Sequence, residues 1–163
     1  MKFSVGVEYA IHCLLYMVNI DKSIGIKDLA KFQGISETYL SKVYTKLTKK
    51  KIVMSVPGVK GGYALARKAE EITFWDIVEA VEGEESFFQC AEIRQNNILL
   101  DKENLPKEYT ECPCLIKVVM LEAENEMKKY LSNKTLAWLY DEVYHKKLSK
   151  NAEEDMLEWF HRG

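Results

Sequence analysis

Along residues 26–65 the apolar positions recur first at steps of three and four, and then alternate. Ile26, Leu29, Ala30 and Phe32 give a short helical stripe, and Gly34 stands where a left-handed residue ends a helix at little cost. Ser36 then offers a side-chain oxygen to the free amides of a second helix, and Glu37 puts negative charge in its first turn. Leu40, Val43 and Leu47 share one face of that helix. Its other face carries Thr38, Ser41, Lys42, Thr45, Lys46 and Lys49, short polar and cationic groups suited to phosphates and base edges. The segment 52–56 is β-branched and alternating, 57–62 is a glycine-rich tip, and 63–65 returns, which predicts a strand, a tight turn and a second strand.

The flanking pattern is helical. Residues 3–20 predict a first helix with Val7, Ala10, Ile11, Leu14 and Val18 inward, while Glu8 and His12, four apart, leave the same side. Thr73-Phe74-Trp75-Asp76 has the form of a capping box, opening a helix that Gly83 ends. Residues 84–111 turn polar, with Asn96-Asn97, Asp101 and Pro106, as a long functional loop does. From Cys114 to about Leu131 the pattern is helical again. Its apolar residues, among them Leu115, Val118, Val119 and Met127, spread too widely for one narrow stripe. One side therefore suits the home domain and another a partner. A helix over 135–148 and a last one from about Asn151, bearing Met156, Trp159 and Phe160, complete the pattern.

A helix-turn-helix followed by a hairpin is a winged helix, whose second helix fits the major groove. The expected fold is mainly α with a small β-hairpin wing, divided into a DNA-binding domain at 1–83, a cysteine-containing loop region at 84–114, and a dimerisation helix with C-terminal helices at 115–163. Charge sharpens this. The 163 residues carry a net charge of −2, but residues 27–68 hold ten Lys/Arg against only Asp28 and Glu37, while the chain from 69 onward is net acidic by ten. That asymmetry is the footprint of a DNA-facing patch on an acidic protein. No apolar run reaches the roughly 20 residues of a membrane helix, and no signal-peptide pattern precedes the first helix, so a cytoplasmic location is expected. There is no Ser/His/Asp grouping or phosphate loop, and His12, His145 and His161 form no metal-ligand spacing; an enzyme is not expected. Four cysteines in such a chain point to metal binding or redox chemistry. Cys13 falls beside the apolar stripe as a small hydrophobe.

Tyr39-Leu40, the wing pattern Ser55-Val56, Gly58, Lys60-Gly61-Gly62-Tyr63, and the later Ile72-Thr73 resemble the Rrf-type family of bacterial winged-helix regulators, the group of IscR, NsrR and CymR. The resemblance covers Met1 to about Leu131, and the Gly-Gly-Tyr behind a helix-turn-helix is its most discriminating piece. It implies a homodimer on a palindromic operator in double-stranded DNA, the long helix crossing its twin. DNA contacts then fall to Ser36, Thr38, Tyr39, Ser41, Lys42, Thr45 and Lys46, and to Lys60, Gly61, Gly62 and Tyr63 of the wing. Lys42 and Lys46 should meet phosphates, and Thr38, Tyr39, Ser41 and Thr45 base edges. Pro57 stands where relatives often carry an arginine. The resemblance further implies an iron–sulfur cluster on Cys90, Cys112 and Cys114, with Glu8 or His12 from a partner subunit completing the ligands. Soft thiolates suit such a centre. The spacing departs from the family pattern, since 21 residues separate Cys90 from Cys112 and one separates Cys112 from Cys114. Two alternatives remain open: an iron-free thiol-based redox-sensing regulator, and a winged-helix adaptor that engages a protein through its acidic half and Trp159-Phe160.

Overall fold

The structure, a computed structural model, describes residues 2–162. Helix α1 (Val5–Tyr16) stops short of the predicted 3–20, because the Met17 and Val18 amides turn back onto the Leu14 and Leu15 carbonyls. Helix α2 (Ile26–Gln33) ends at Gly34, whose φ of 72° is the left-handed conformation that glycine adopts without steric cost. Ser36 begins α3 (Glu37–Lys49), its hydroxyl accepting from the Tyr39 amide at 3.3 Å. The predicted hairpin follows as β1 (Val53–Val56) antiparallel to β2 (Gly62–Leu65), with Val53 opposite Leu65 and Val56 opposite Gly62. Ile24 and Tyr63 exchange both backbone hydrogen bonds, at 2.8 and 2.9 Å, which ties the connector before α2 to the wing. A side chain at Gly62 would strike the Ile24 carbonyl, so only glycine allows that approach. Helix α4 (Phe74–Glu82) starts with the predicted capping box: Asp76 N donates to Thr73 Oγ1 at 3.1 Å, and Thr73 N to Asp76 Oδ2 at 2.8 Å.

The core lies where these helices meet. Ala10, Cys13 and Leu14 of α1, Leu29 of α2, Leu40, Tyr44 and Leu47 of α3, Ile52, and Ile77 of α4 are sealed from solvent. Each large aliphatic among them contributes on the order of 1.5–3 kcal/mol by leaving water. The stripe predicted for each helix is thus the side that faces this centre.

Contacts divide the chain into two units, Lys2–Glu84 together with the chain from Leu131 on, and Glu85–Tyr130. Within the first unit the C-terminal helices pack on the winged helix. Thr135 caps α7 (Leu136–Tyr140), its Oγ1 accepting from Trp138 N at 3.0 Å, and backbone bonds from Leu136 N to Ile72 O and from Phe74 N to Lys134 O, both 2.8 Å, stitch this segment to the start of α4. Where one continuous helix was predicted over 135–148, α7 widens into a π-helical segment at Asp141–Lys147. Helix α8 (Lys150–Arg162) then lays Phe160 and Trp159 on Phe32 of α2, with centroids 4.8 and 5.0 Å apart, and Phe160 on Tyr16 of α1 at 5.9 Å. Glu153 of α8 accepts from the Tyr140 hydroxyl and faces His145 Nε2 at 3.3 Å, while Asp141 lies 3.0 Å from His145 Nδ1.

The second unit is less enclosed. It holds a 3-10 turn at Ile93–Asn96, a short α5 (Lys107–Thr110) and most of α6 (Leu115–Ser132). No residue of α6 is buried; Leu115 is 73% and Ile116 67% exposed. Among the described residues, no helix is long and apolar enough to cross a membrane.

Candidate nucleic-acid interface and cysteine centre

Burial of Leu40, Val43, Tyr44 and Leu47 fixes the rotation of α3 and turns Thr38, Lys42, Thr45 and Lys49 to solvent. Thr45 Oγ1 donates to the Ser41 carbonyl at 2.9 Å. Ser36 serves as the helix cap. Tyr39, 36% exposed, presents one edge to solvent and sets the other against Tyr9 of α1, with centroids 5.5 Å apart. Lys46 behaves differently from Lys42: its ammonium donates to the Val81 carbonyl in the last turn of α4 at 2.6 Å. Lys50 pairs with Glu84 and lies 3.9 Å from Glu79.

The wing presents Val59 and Lys60 at its exposed tip, and the Lys60 carbonyl accepts from the Ser23 hydroxyl at 2.9 Å. Gly61 N donates to the Gly58 carbonyl at 2.9 Å, closing a turn whose crowding by the Val56 and Gly58 carbonyls excludes any side chain at Gly61. Tyr63 sets its ring on Tyr44 at 5.0 Å. Gly61 and Gly62 therefore shape the wing, and Tyr63 ties it to α3.

In the other unit Cys114 stands immediately before α6. The backbone amides of Lys117 and, after it, Ile116 hydrogen-bond its sulfur, with the Arg94 guanidinium and the Cys90 thiol also lowering its pKa below the ordinary thiol value against the opposing effect of burial. Cys90 and Cys114 are thus brought together. The Cys90 sulfur also lies 3.7 Å from Glu92 Oε1. Arg94 organises the surroundings: Nε meets Glu92 at 2.9 Å, and Nη2 donates to the carbonyls of Cys112 at 2.6 Å and Tyr109 at 3.3 Å. It folds the 21 residues between Cys90 and Cys112 back on themselves, and as the only arginine in that interval it was the available sequence signal. Cys112 is exposed. Among the described residues no group of three or more His, Cys, Asp or Glu side chains is placed to hold a metal ion. Burial pushes the Cys13 thiol up to about 12, which leaves it a protonated hydrophobe. Glu8 and His12 line a groove of about 540 Å³ on α1 with Phe3, Val5, Val7 and Ile11.

Sequence and fold comparisons agree on one group of proteins. A family model described as Rrf2, iron-dependent transcriptional regulator, matches residues 3–142. Protein rrf2 of Nitratidesulfovibrio vulgaris is 35% identical over 139 residues, covering 84% of this chain and 85% of that protein. Among solved structures, T. potens IscR superposes with a TM-score of 0.65 at 23% identity over 91% of this chain and 93% of its own, a likeness of fold alone. Oxidized Staphylococcus aureus CymR superposes with a TM-score of 0.60 at 26% identity over 88% of this chain and 98% of its own.

Proposed function

Because the chain belongs to the Rrf2 family of transcriptional regulators and is no enzyme, we propose that it works as a homodimer that sets two copies of α3 into a palindromic operator, with α6 as the dimer helix. The observation that carries this reading is the outward face of α3. Thr38, Lys42 and Thr45 are exposed on a helix whose opposite side is completely buried. In this docking Lys42 meets phosphate, and Thr38, Ser41 and Thr45 reach base edges in the major groove. Lys60 follows the backbone from the wing. Helix α6 supports dimer formation: an 18-residue helix with exposed Leu115, Ile116 and Val119 gains most by pairing with another apolar face.

The chemistry of the second unit suits an iron–sulfur cluster as the element that sets operator affinity. Cys90, Cys112 and Cys114 would hold it, with Glu8 or His12 supplied by the first helix of a second copy. Such a cluster supplies an oxygen- and redox-sensitive centre of iron and sulfide. Two cysteines that share a hydrogen bond, one with its pKa held below the ordinary thiol value, are soft donors of the kind it needs. The same Cys90–Cys114 contact also favours a second reading, an iron-free thiol sensor. For the adaptor reading, Trp159 and Phe160 pack on Phe32, so its partner surface would fall to the acidic half.

The test is a visible absorption spectrum of protein purified without oxygen, taken alongside operator titrations. Sulfide-to-iron charge-transfer bands that vanish in Cys112→Ala/Cys114→Ala support the cluster. A colourless protein whose operator affinity still changes on mild oxidation supports the thiol reading. DNA affinity indifferent to both refutes each.

A further inference from the structure

We propose that Lys46 and Glu82 are positioning residues: they fix the angle of α3 through the end of α4 and do not meet DNA themselves. This rests on the docking of α3 proposed above. Three helices meet at the last turn of α4. Glu82 Oε1 accepts from both the amide and the hydroxyl of Ser4 at 2.8 and 2.7 Å, and so caps the start of α1 from outside that helix. One residue earlier, the Val81 carbonyl takes the Lys46 ammonium at 2.6 Å. The last carbonyls of a helix lack partners within it and sit at the negative end of its dipole, so a cation there is held by charge as well as by the hydrogen bond. Lys50 repeats the tie one turn further along α3, reaching Glu84 and Glu79. At the other end of α3, a Cβ on Gly6 would lie 3.1 Å from both the Tyr39 hydroxyl and Val81 Cγ1, so α1, α3 and α4 touch there with no slack.

The recognition helix is therefore pinned at both ends to the first turn of α1 and the last turn of α4. Ser4, the N-cap of α1, sits about one turn before Glu8, and Gly6 lies between them. Any displacement of the start of α1 reaches α3 through Glu82, Val81 and Lys46, a route made of direct bonds within one unit. The inference changes what Lys46 does. A phosphate contact and a positioning contact both raise affinity, but only the first releases a counterion.

The experiment titrates full-length protein against duplexes enriched from a random pool, by fluorescence anisotropy over a series of KCl concentrations. Lys42→Ala is the reference and should lower the slope of log affinity against log salt by about 0.9. Lys46→Met, which keeps the alkyl stem, is expected to weaken binding about tenfold with the slope unchanged, and Lys46→Arg to restore it. Glu82→Gln should also weaken binding, although removing a carboxylate near DNA would strengthen it if repulsion were its only effect. Ser4→Ala should weaken binding about threefold, again at constant slope. A slope lowered by Lys46→Met as much as by Lys42→Ala overturns the proposal and leaves the docking of α3 intact. A slope untouched by Lys42→Ala removes the docking, and this inference with it.

Discussion

In residues 2–84, Leu14, Leu29, Leu40 and Ile77 lie entirely out of solvent, whereas α6 carries Leu115, Ile116, Val119 and Met120 and hides none of its residues. The first region also closes its polar ends by itself, with Ser36 capping α3, Thr73 and Asp76 boxing α4, and Glu82 capping α1. The second relies on Arg94 to gather three carbonyls and a carboxylate around its cysteines. The difference teaches a division of labour. One region gains its shape from its own burial and can hold a reading face rigid. The other leaves its apolar surface exposed, so its final form depends on what it meets.

If that contrast is real, substitutions should separate the two regions. The largest effect is expected from Phe160→Ala, which empties a buried ring site against Phe32 and Tyr16. It should cost about 3–5 kcal/mol in urea denaturation. A cost below about 1 kcal/mol would mean that α8 does not brace the winged helix. Next comes Ile116→Asp with Val119→Asp, two exposed positions on α6. Sedimentation should shift from dimer to monomer, and operator affinity should drop by two orders of magnitude or more as the avidity of paired half-sites is lost. The thermal transition of the winged helix should stay in place. Third, Lys42→Ala should weaken binding on every duplex alike and reduce the salt slope by about 0.9.

The smallest effect concerns pH. His145 is held above its ordinary pKa, first by its bond to Asp141 and then by Glu153, with burial opposing. Asp141 is in turn held down by Lys146, and Glu153 by Tyr140. A raised histidine pKa stabilises the folded state fully below the ordinary value of 6.5, and that contribution fades as pH rises through the elevated one. Melting temperature should therefore decline slightly from pH 6 upward in the native chain, and His145→Gln should flatten that decline. An unaltered pH profile would show that the α7–α8 clasp is electrostatically idle.

Much of this was legible in the chain because it is local. Ser36, Gly34 and the Thr73 box announce helix ends within four residues of themselves, and the burial of Leu40, Val43 and Leu47 follows from their spacing. What escaped is tertiary. Lys46 looks like Lys42 in sequence, and only the approach of α4 hands it a carbonyl. Tyr39 and Tyr63 read as surface residues, yet each sets a ring edge on a neighbouring tyrosine. The widening of 141–147 into a π-helix has no signature in an otherwise amphipathic stretch. Trp159 and Phe160 resembled a free tail until Phe32 supplied their partner.

The account turns on two copies of α3 reading DNA together. Selection of bound duplexes from a random pool by the full-length protein tests this most directly. An enriched inverted repeat, its half-site centres about 10 base pairs or a multiple of that apart, is the predicted result. Enrichment of a single unrepeated half-site, or none at all, would contradict it.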